Sequence, residues 1–287
     1  MKKIAICGYS SSVGKGFISR YEKEFEFVKL GRREDADVFI DLRDRKLAGD
    51  TDRLCGCEAL INLSAQVNDE TDEAIIDLLS VNVLGTLYLA EVANRYQIPQ
   101  YISMSSISAT YEPNDEYYGF YAQSKRSAED FLRIYCKRVG LDLCILRPAA
   151  IYGENSFAEH QRLLYGIIDK VKRNDTVTIY GSCDAHRNYI HIGTLSDVIA
   201  GVIRERVTGT YNVVCKNNQT LTEIVDDLNR IFGKSSQVEF LKEKPDIVER
   251  FFKCDDEIYE KTGVMIPQGI YDELEISIAK DKEGQIN

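Results

Sequence analysis

Lys2-Lys-Ile-Ala-Ile-Cys7 is a short apolar run that passes without a spacer into Gly8-Tyr-Ser-Ser-Ser-Val-Gly14, and then into Lys15-Gly-Phe-Ile18. No other succession in the chain restricts its fold as much. A six-residue run ending on a glycine suits a strand, and the small residues after it suit a tight turn into a helix. A helix that starts there leaves backbone N–H groups without partners, pointing to where an anion can sit. Strand, small-residue turn and helix in that order open a Rossmann unit, so a parallel sheet is expected to follow. The spacing is Gly8-x-x-Ser11-x-x-Gly14, and the Cβ of Ser11 restricts close backbone approach slightly. A Walker A loop does not fit: five residues rather than four separate Gly8 from Gly14, and Lys15 is followed by Gly16. Gly8, Ser11, Ser12, Val13 and Gly14 are therefore the expected phosphate contacts.

The runs 25–30, 37–42, 59–65, 99–106 and 141–148 read as further strands, with helical patterns at 80–95 and 121–139 between them. Such alternation predicts an α/β fold, a doubly wound parallel sheet with helices on both faces. Ligands in such sheets bind beyond the carboxyl ends of the strands, where Gly8, Arg32, Asp41, Ser64, Ser106 and Pro148 fall. Past Gly153 the alternation becomes irregular. Helices are expected at 157–173 and 194–206, strands at 176–181 and 210–215, and a capping-box start at Thr220-Leu-Thr-Glu223. The expected organisation is a dinucleotide-binding domain of residues 1–153, rejoined by about 183–206. A smaller mixed α/β substrate domain takes 154–182 and 207–287, with a frayed tail after Asp281.

Tyr121-Ala-Gln-Ser-Lys125 places a phenol and an ammonium one helical turn apart, on one face. Ala122, Ala128, Phe131, Leu132, Tyr135 and Cys136 recur at helical spacing, and no Gly or Pro intervenes before Gly140. A cation beside the phenol favours phenolate, so the Tyr121 pKa is expected to fall towards working pH. Such a tyrosine can exchange a proton with an alcohol or sugar oxygen. After the second strand comes Gly31-Arg32-Arg33, where NAD-binding units carry an acidic residue for the ribose 2′-OH. Arg32 and Arg33 suit a 2′-phosphate, so NADP is expected, and Glu34 and Asp35 keep NAD open.

Composition narrows the classes. The formal net charge is −10 and no basic patch stands out, which argues against nucleic acid or an anionic membrane as partner. The apolar start ends too early for a secretory leader, and no run approaches the roughly 20 apolar residues of a membrane span. Eight cysteines without a Cys-x-x-Cys pair, and only three histidines, argue against a zinc site, so no metal is expected. Buried free thiols in a reducing cytoplasm are expected instead.

Residues 3–270 resemble the extended short-chain dehydrogenase/reductase family of nucleotide-sugar epimerases, dehydratases and reductases. The resemblance rests on Gly8 to Gly14, Asn62-Leu-Ser-Ala65, Asn82-x-x-Gly85-Thr86, Ser105-Ser106 before Tyr121-x-x-x-Lys125, Arg147-Pro-Ala-Ala-Ile-Tyr-Gly153 and Arg187-Asn-Tyr-Ile-His191. It implies Tyr121 as acid/base and Lys125 as the ammonium that holds the nicotinamide ribose. Ser106 would bond the reacting oxygen, with Ser108 beside the substrate and Arg187 on the substrate diphosphate. Asp41 and Leu42 would contact adenine, Leu63, Ser64, Ala65 and Asn82 would line the cofactor, and Pro148 would lie by the nicotinamide. Departures are Ser11 for the middle glycine, Ser64 for an alanine, Asn188 for the acid after Arg187, and Gly193-Thr194 for two acids. Ser106-Ile-Ser-Ala-Thr110 lacks the Asp-Glu pair of 4,6-dehydratases, which disfavours dehydration. The resemblance implies an NADP-dependent reductase of a keto-sugar nucleotide, a 4-ketoreductase. The alternatives are an NAD-dependent nucleotide-sugar epimerase and a catalytically silent dinucleotide-binding protein. Members of the family often pair through a four-helix contact, to which the helix 121–139 could contribute, so the resemblance leaves a homodimer open.

Overall fold

The computed structural model describes residues 1–153 and 161–274, and the expectations for 157–160 and for the tail after Asp281 lie outside them. The chain divides into two compact units, Met1–Pro148 with Val198–Tyr211, and Ala149–Asp197 with Asn212–Asn287. The segment that rejoins the first unit is thus later than the 183–206 expected. The reason is local pairing, since residues 186–191 form short ladders inside the second unit.

In the first unit, β1 (Lys2–Cys7) leads into α1 (Ser12–Tyr21), followed by β2 (Phe25–Gly31), β3 (Val38–Asp41), β4 (Lys46–Ala48) and β5 (Ala59–Asn62). A helical run holds α2 (Asp72–Leu79), a π-helical turn (Ser80–Gly85) and α3 (Thr86–Arg95). Then come β6 (Gln100–Met104), α4 (Phe120–Val139) and β7 (Asp142–Pro148). The second unit carries β8 (Ala150–Tyr152), α5 (Arg162–Arg173), β9 (Val177–Tyr180), β10 (His186–Arg187) and β11 (Tyr189–His191). α6 (Ile192–Glu205) and β12 (Gly209–Val213) return to the main sheet, and β13 (Gln219–Thr220), α7 (Leu221–Phe232), β14 (Val238–Leu241) and α8 (Asp256–Thr262) follow.

The main sheet runs β12-β7-β6-β5-β1-β2-β3-β4. Neighbours from β3 through β1 to β7 pair parallel, and β4 closes one edge antiparallel. The chain order reverses at β1, so the crevice of a doubly wound sheet opens at the end of β1, at Gly8. β1, β5 and β6 are buried almost throughout, as parallel strands covered on both faces are. Leu89, Ala90, Val92, Ala93, Leu132 and Cys136 bring α3 and α4 onto one face of the sheet, against Ala5, Leu30, Leu60 and Tyr101.

Two elements depart from expectation. The helix read as 80–95 begins at Asp72, where the Thr71 side chain caps it by accepting from the Ala74 amide. The uninterrupted run Asp72–Arg95 is long and apolar enough to cross a bilayer, contrary to the expectation that no segment would be. Part of its apolar content serves the core, where Leu78, Leu89, Val92 and Ala93 are fully buried, while Ile76 and Leu84 are exposed. Phe131, one of the positions at helical spacing on α4, is half-exposed, and Ile134 further along the helix is exposed.

In the second unit, Tyr152, Leu164, Ile168, Val171, Ile179, Leu221, Val225 and Leu228 form a separate core. The capping box expected at Thr220 is present: its hydroxyl accepts from the Glu223 amide while the Glu223 carboxylate accepts from the Thr220 amide. The eight cysteines are free; five are buried, Cys254 is half-buried, and Cys55 and Cys183 are exposed.

Candidate active site

The turn after β1 is held by close packing. Gly8 has φ +83°, and a Cβ there would lie 2.7 Å from the Leu63 carbonyl carbon and the Ser64 amide nitrogen. A Cβ on Gly14 would lie 2.4 Å from the Gly8 carbonyl oxygen. Both positions therefore require glycine, and the turn stays pressed against the end of β5. Ser11 caps α1, its hydroxyl accepting from the Gly14 amide at 3.1 Å and donating to the Gly8 carbonyl at 2.8 Å. As the first helical residues, Ser12 and Val13 have amides that lack an acceptor within the helix. This is the donor set that fits a pyrophosphate. Ser11 thus fills the middle-glycine position by becoming the cap, which is why the turn tolerates its Cβ.

Around that turn, Leu63 is buried and Ser64 sits with its hydroxyl 3.2 Å from the Cys7 thiol. Asn82, in the π-helical turn, is fully buried. It accepts from the Gln66 amide and donates to the Gln66 carbonyl and, at 3.0 Å, to the Ser124 hydroxyl on α4. It therefore fixes the segment carrying Ala65 to the helix carrying Tyr121 and Lys125. Asp41 accepts from the Arg43 and Asp44 amides, which ends β3, and Leu42 packs where Gly85 leaves room for it. Arg32 and Arg33 are exposed. The Arg32 guanidinium lies 3.7 Å from Asp41 and that of Arg33 lies 3.3 Å from Asp35. At Gly31, a side chain would meet the ring of Tyr9, whose hydroxyl donates to Asp35 at 2.7 Å. The strand end where NAD-binding units place a carboxylate is thus backed by an aromatic ring.

Ser106, Tyr121 and Lys125 come together at the end of β6. Ser106 caps the 3-10 turn Ile107–Thr110, and its hydroxyl lies 3.2 Å from that of Ser108. The Ser106 side chain acts on the Tyr121 phenol, favouring its ionised form. Lys125 is buried, donates to the Met104 carbonyl at 3.0 Å, and sits 5.8 Å from the Tyr121 ring centre. Burial dominates both titrations. It raises the Tyr121 phenol, with Ser106 pulling the other way, and lowers Lys125 to about 8, opposed by Glu129. The expected fall in the Tyr121 pKa is therefore reversed. Loss of water around the phenol sets the direction, and the opposing pull comes from Ser106 rather than from the ammonium one turn away.

Pro148 ends β7 and is buried. Arg187 belongs to the second unit, where its guanidinium donates at 2.6 Å to the carbonyls of His186 and Val248. Beside this set, the Ser105 hydroxyl is buried on Glu129; Ser105 was read only as part of a motif, and Glu129 escaped the sequence. The signal was present in the spacing, since Glu129 follows Lys125 by another four residues.

A doubly wound sheet with a glycine turn at its switch point and a Ser–Tyr–Lys set at the end of β6 defines a Rossmann-type α/β protein. The chain matches the model of the NAD dependent epimerase/dehydratase family over residues 4–214 and belongs to that family. Among curated relatives, a putative UDP-glucose 4-epimerase of Methanocaldococcus jannaschii is 28% identical over 185 residues, 60% of this chain and 56% of its own length. A UDP-glucuronic acid decarboxylase 1 of Danio rerio is 22% identical over 190 residues, 61% of this chain and 45% of its own. The chain thus spans about half the length of the curated relatives it matches. Among solved structures, UDP-N-acetylglucosamine 4-epimerase from Bacillus cereus superposes with a TM-score of 0.75 at 18% identity, covering 96% of this chain and 97% of that one. RMD from Pseudomonas aeruginosa complexed with NADPH superposes with a TM-score of 0.71 at 17% identity, covering 96% and 98%.

Proposed function

We propose that the chain is a dinucleotide-dependent oxidoreductase acting on a nucleotide-sugar. The observation that carries this is the gathering of Ser106, Tyr121 and Lys125 at the carboxyl end of β6, on the same sheet edge as the glycine turn that follows β1. A dinucleotide held by that turn would supply hydride exchange with a sugar carbon. The residues do the rest. Tyr121 gives a proton to, or takes one from, the sugar oxygen; Ser106 donates a hydrogen bond to that oxygen as charge builds on it. The Lys125 ammonium stabilises the phenolate left when Tyr121 has given its proton.

Net reduction of a keto-sugar nucleotide is supported by the titration of Tyr121, because burial keeps the phenol protonated and ready as an acid. Gly31 followed by Arg32 and Arg33 supports NADP for it. Epimerisation, in which the same residues oxidise and then reduce one carbon, is favoured by a separate observation. Arg32 and Arg33 face Asp41 and Asp35, which offsets the charge a 2′-phosphate would use. The similarity to 4-epimerases in sequence and in fold adds to it. Denaturing the purified protein and identifying the released dinucleotide separates the two: retained NAD with interconversion of UDP-sugars supports epimerisation, and stoichiometric NADPH consumption with a 4-keto-sugar nucleotide supports reduction. No turnover with either class overturns the proposal. The half-exposed Phe131 and the exposed Ile134 on α4 support a homodimer through that helix. Light scattering on wild type and Ile134→Glu checks it, with a monomeric wild type as the contrary result.

A further inference from the structure

α4 holds two consecutive residues at the end of β6, Met104 and Ser105, from two successive turns. Lys125 donates to the carbonyl of Met104 and Glu129 accepts from the hydroxyl of Ser105 at 2.6 Å, while Tyr121, one turn earlier, is acted on by the side chain of Ser106. Tyr121, Lys125 and Glu129 are four apart and so form one stripe on the helix. Met104, Ser105 and Ser106 are adjacent in the chain, so the Ser105 bond lies between the carbonyl that Lys125 holds and the Ser106 side chain. We propose that Glu129 and Ser105 are positioning residues for the site: the Glu129 carboxylate anchors the strand end through Ser105 and lays a negative charge beneath Lys125. This rests on Tyr121 and Lys125 being the reacting pair.

Glu129 is 2% exposed, and an isolated carboxylate would not stay ionised there. Its partners keep it charged. Arg147 on β7 donates through Nε at 2.8 Å and also through Nη2, and Arg133 on α4 donates at 2.7 Å. Arg133 is shared with Asp130 and Thr210. Together with the Ser105 hydroxyl these hold the carboxyl below its ordinary range, against burial, which pushes it up. Lys125 is faced by the Tyr121 ring and the Met104 carbonyl, and the opposing charge on it is that of Glu129. Of the groups bonded to the Glu129 carboxylate, the Ser105 hydroxyl is the one that belongs to the strand end carrying Ser106.

Two variants separate the two effects. Glu129→Gln keeps an acceptor for Ser105 and removes the charge; Ser105→Ala removes the bond and keeps the charge. In ligand-free protein, the Lys125 side-chain NMR signal, assigned by its loss in Lys125→Arg, is expected to titrate about one unit lower in Glu129→Gln. It should be unmoved in Ser105→Ala. With whichever nucleotide-sugar the wild-type protein turns over, a 4-keto-sugar nucleotide or a UDP-sugar, both variants are expected to lose about tenfold or more in kcat with KM changed less than about twofold. The alkaline limb of the rate profile should move to lower pH in Glu129→Gln alone, because the ammonium is then lost sooner. An unmoved Lys125 titration in Glu129→Gln overturns the charge role. A folded Ser105→Ala with wild-type kcat overturns the anchoring role, and this variant carries the test if Glu129→Gln does not fold. A fully active Tyr121→Phe would instead refute the catalytic assignment, leaving the Lys125 titration as a separate readout.

Discussion

Tyr121 and Lys125 show how little a spacing says about a titration. Four residues apart on a helix fixed their common face, but the direction of the Tyr121 shift came from burial, which a spacing does not encode. The consequence is testable. Tyr121→Phe keeps the ring and removes the proton, so activity on the nucleotide-sugar should fall by about 10²- to 10⁴-fold with dinucleotide affinity nearly unchanged. Steady-state kinetics beside a fluorescence titration of the dinucleotide checks both halves. Gly8 and Gly14 were legible because their demands are local, a positive φ at one and a close backbone approach at the other. Arg187 was legible only as a residue of a motif. Its bonds to the carbonyls of His186 and Val248, the latter 61 positions away, are tertiary facts.

At the scale of elements, the sequence showed strands wherever both faces are buried, since such strands read as unbroken apolar runs. It missed β4, whose three residues pair antiparallel at an edge and carry no run to recognise. It also missed α2, although Thr71 before Asp72-Glu-Ala74 is an ordinary capping signal. Where the end signal was read, at Thr220, the structure holds it, and its energetic weight can be measured. Thr220→Ala removes the acceptor for the Glu223 amide and should cost about 1 kcal/mol. The expected readout is a lower denaturant midpoint with an unchanged slope. A second element-level expectation concerns Glu273, buried in the second unit where both of its oxygens accept from the His191 amide. Burial raises its carboxyl from 4.5 to about 8, beside Tyr152, Thr194 and Cys215. The folded chain therefore binds a proton here that the unfolded chain gives up. Its contribution to stability is complete below about 4.5 and declines as pH rises to about 8. Glu273→Gln should flatten stability against pH across that window, as followed by thermal melts at several pH values.

For the whole molecule, the order of the main sheet was the part least open to inspection of the sequence. Nothing in 209–213 announces that β12 forms its far edge, because edge placement depends on where α6 delivers the chain. The reversal at β1, by contrast, followed from the opening strand, turn and helix, and it makes the choice of dinucleotide a property of the fold's switch point. A ligand that binds only the folded chain stabilises it by RT ln(1 + [L]/Kd), about 2.7 kcal/mol at a hundredfold excess over Kd. At equal concentrations, then, the dinucleotide with the lower Kd raises the melting temperature further. If the guanidiniums of Arg32 and Arg33 turn from Asp41 and Asp35 to a 2′-phosphate, NADP gives the larger rise, and Arg32→Ala with Arg33→Ala removes the difference between the two. If they stay paired, NAD gives a rise equal to or larger than that of NADP, and the double variant leaves that order unchanged. The net charge of −10 repels both dinucleotides, and NADP more, so adding salt should narrow any advantage of NAD that comes from this repulsion alone. Melts at low and physiological ionic strength would separate the pairing of the two arginines from the charge of the molecule.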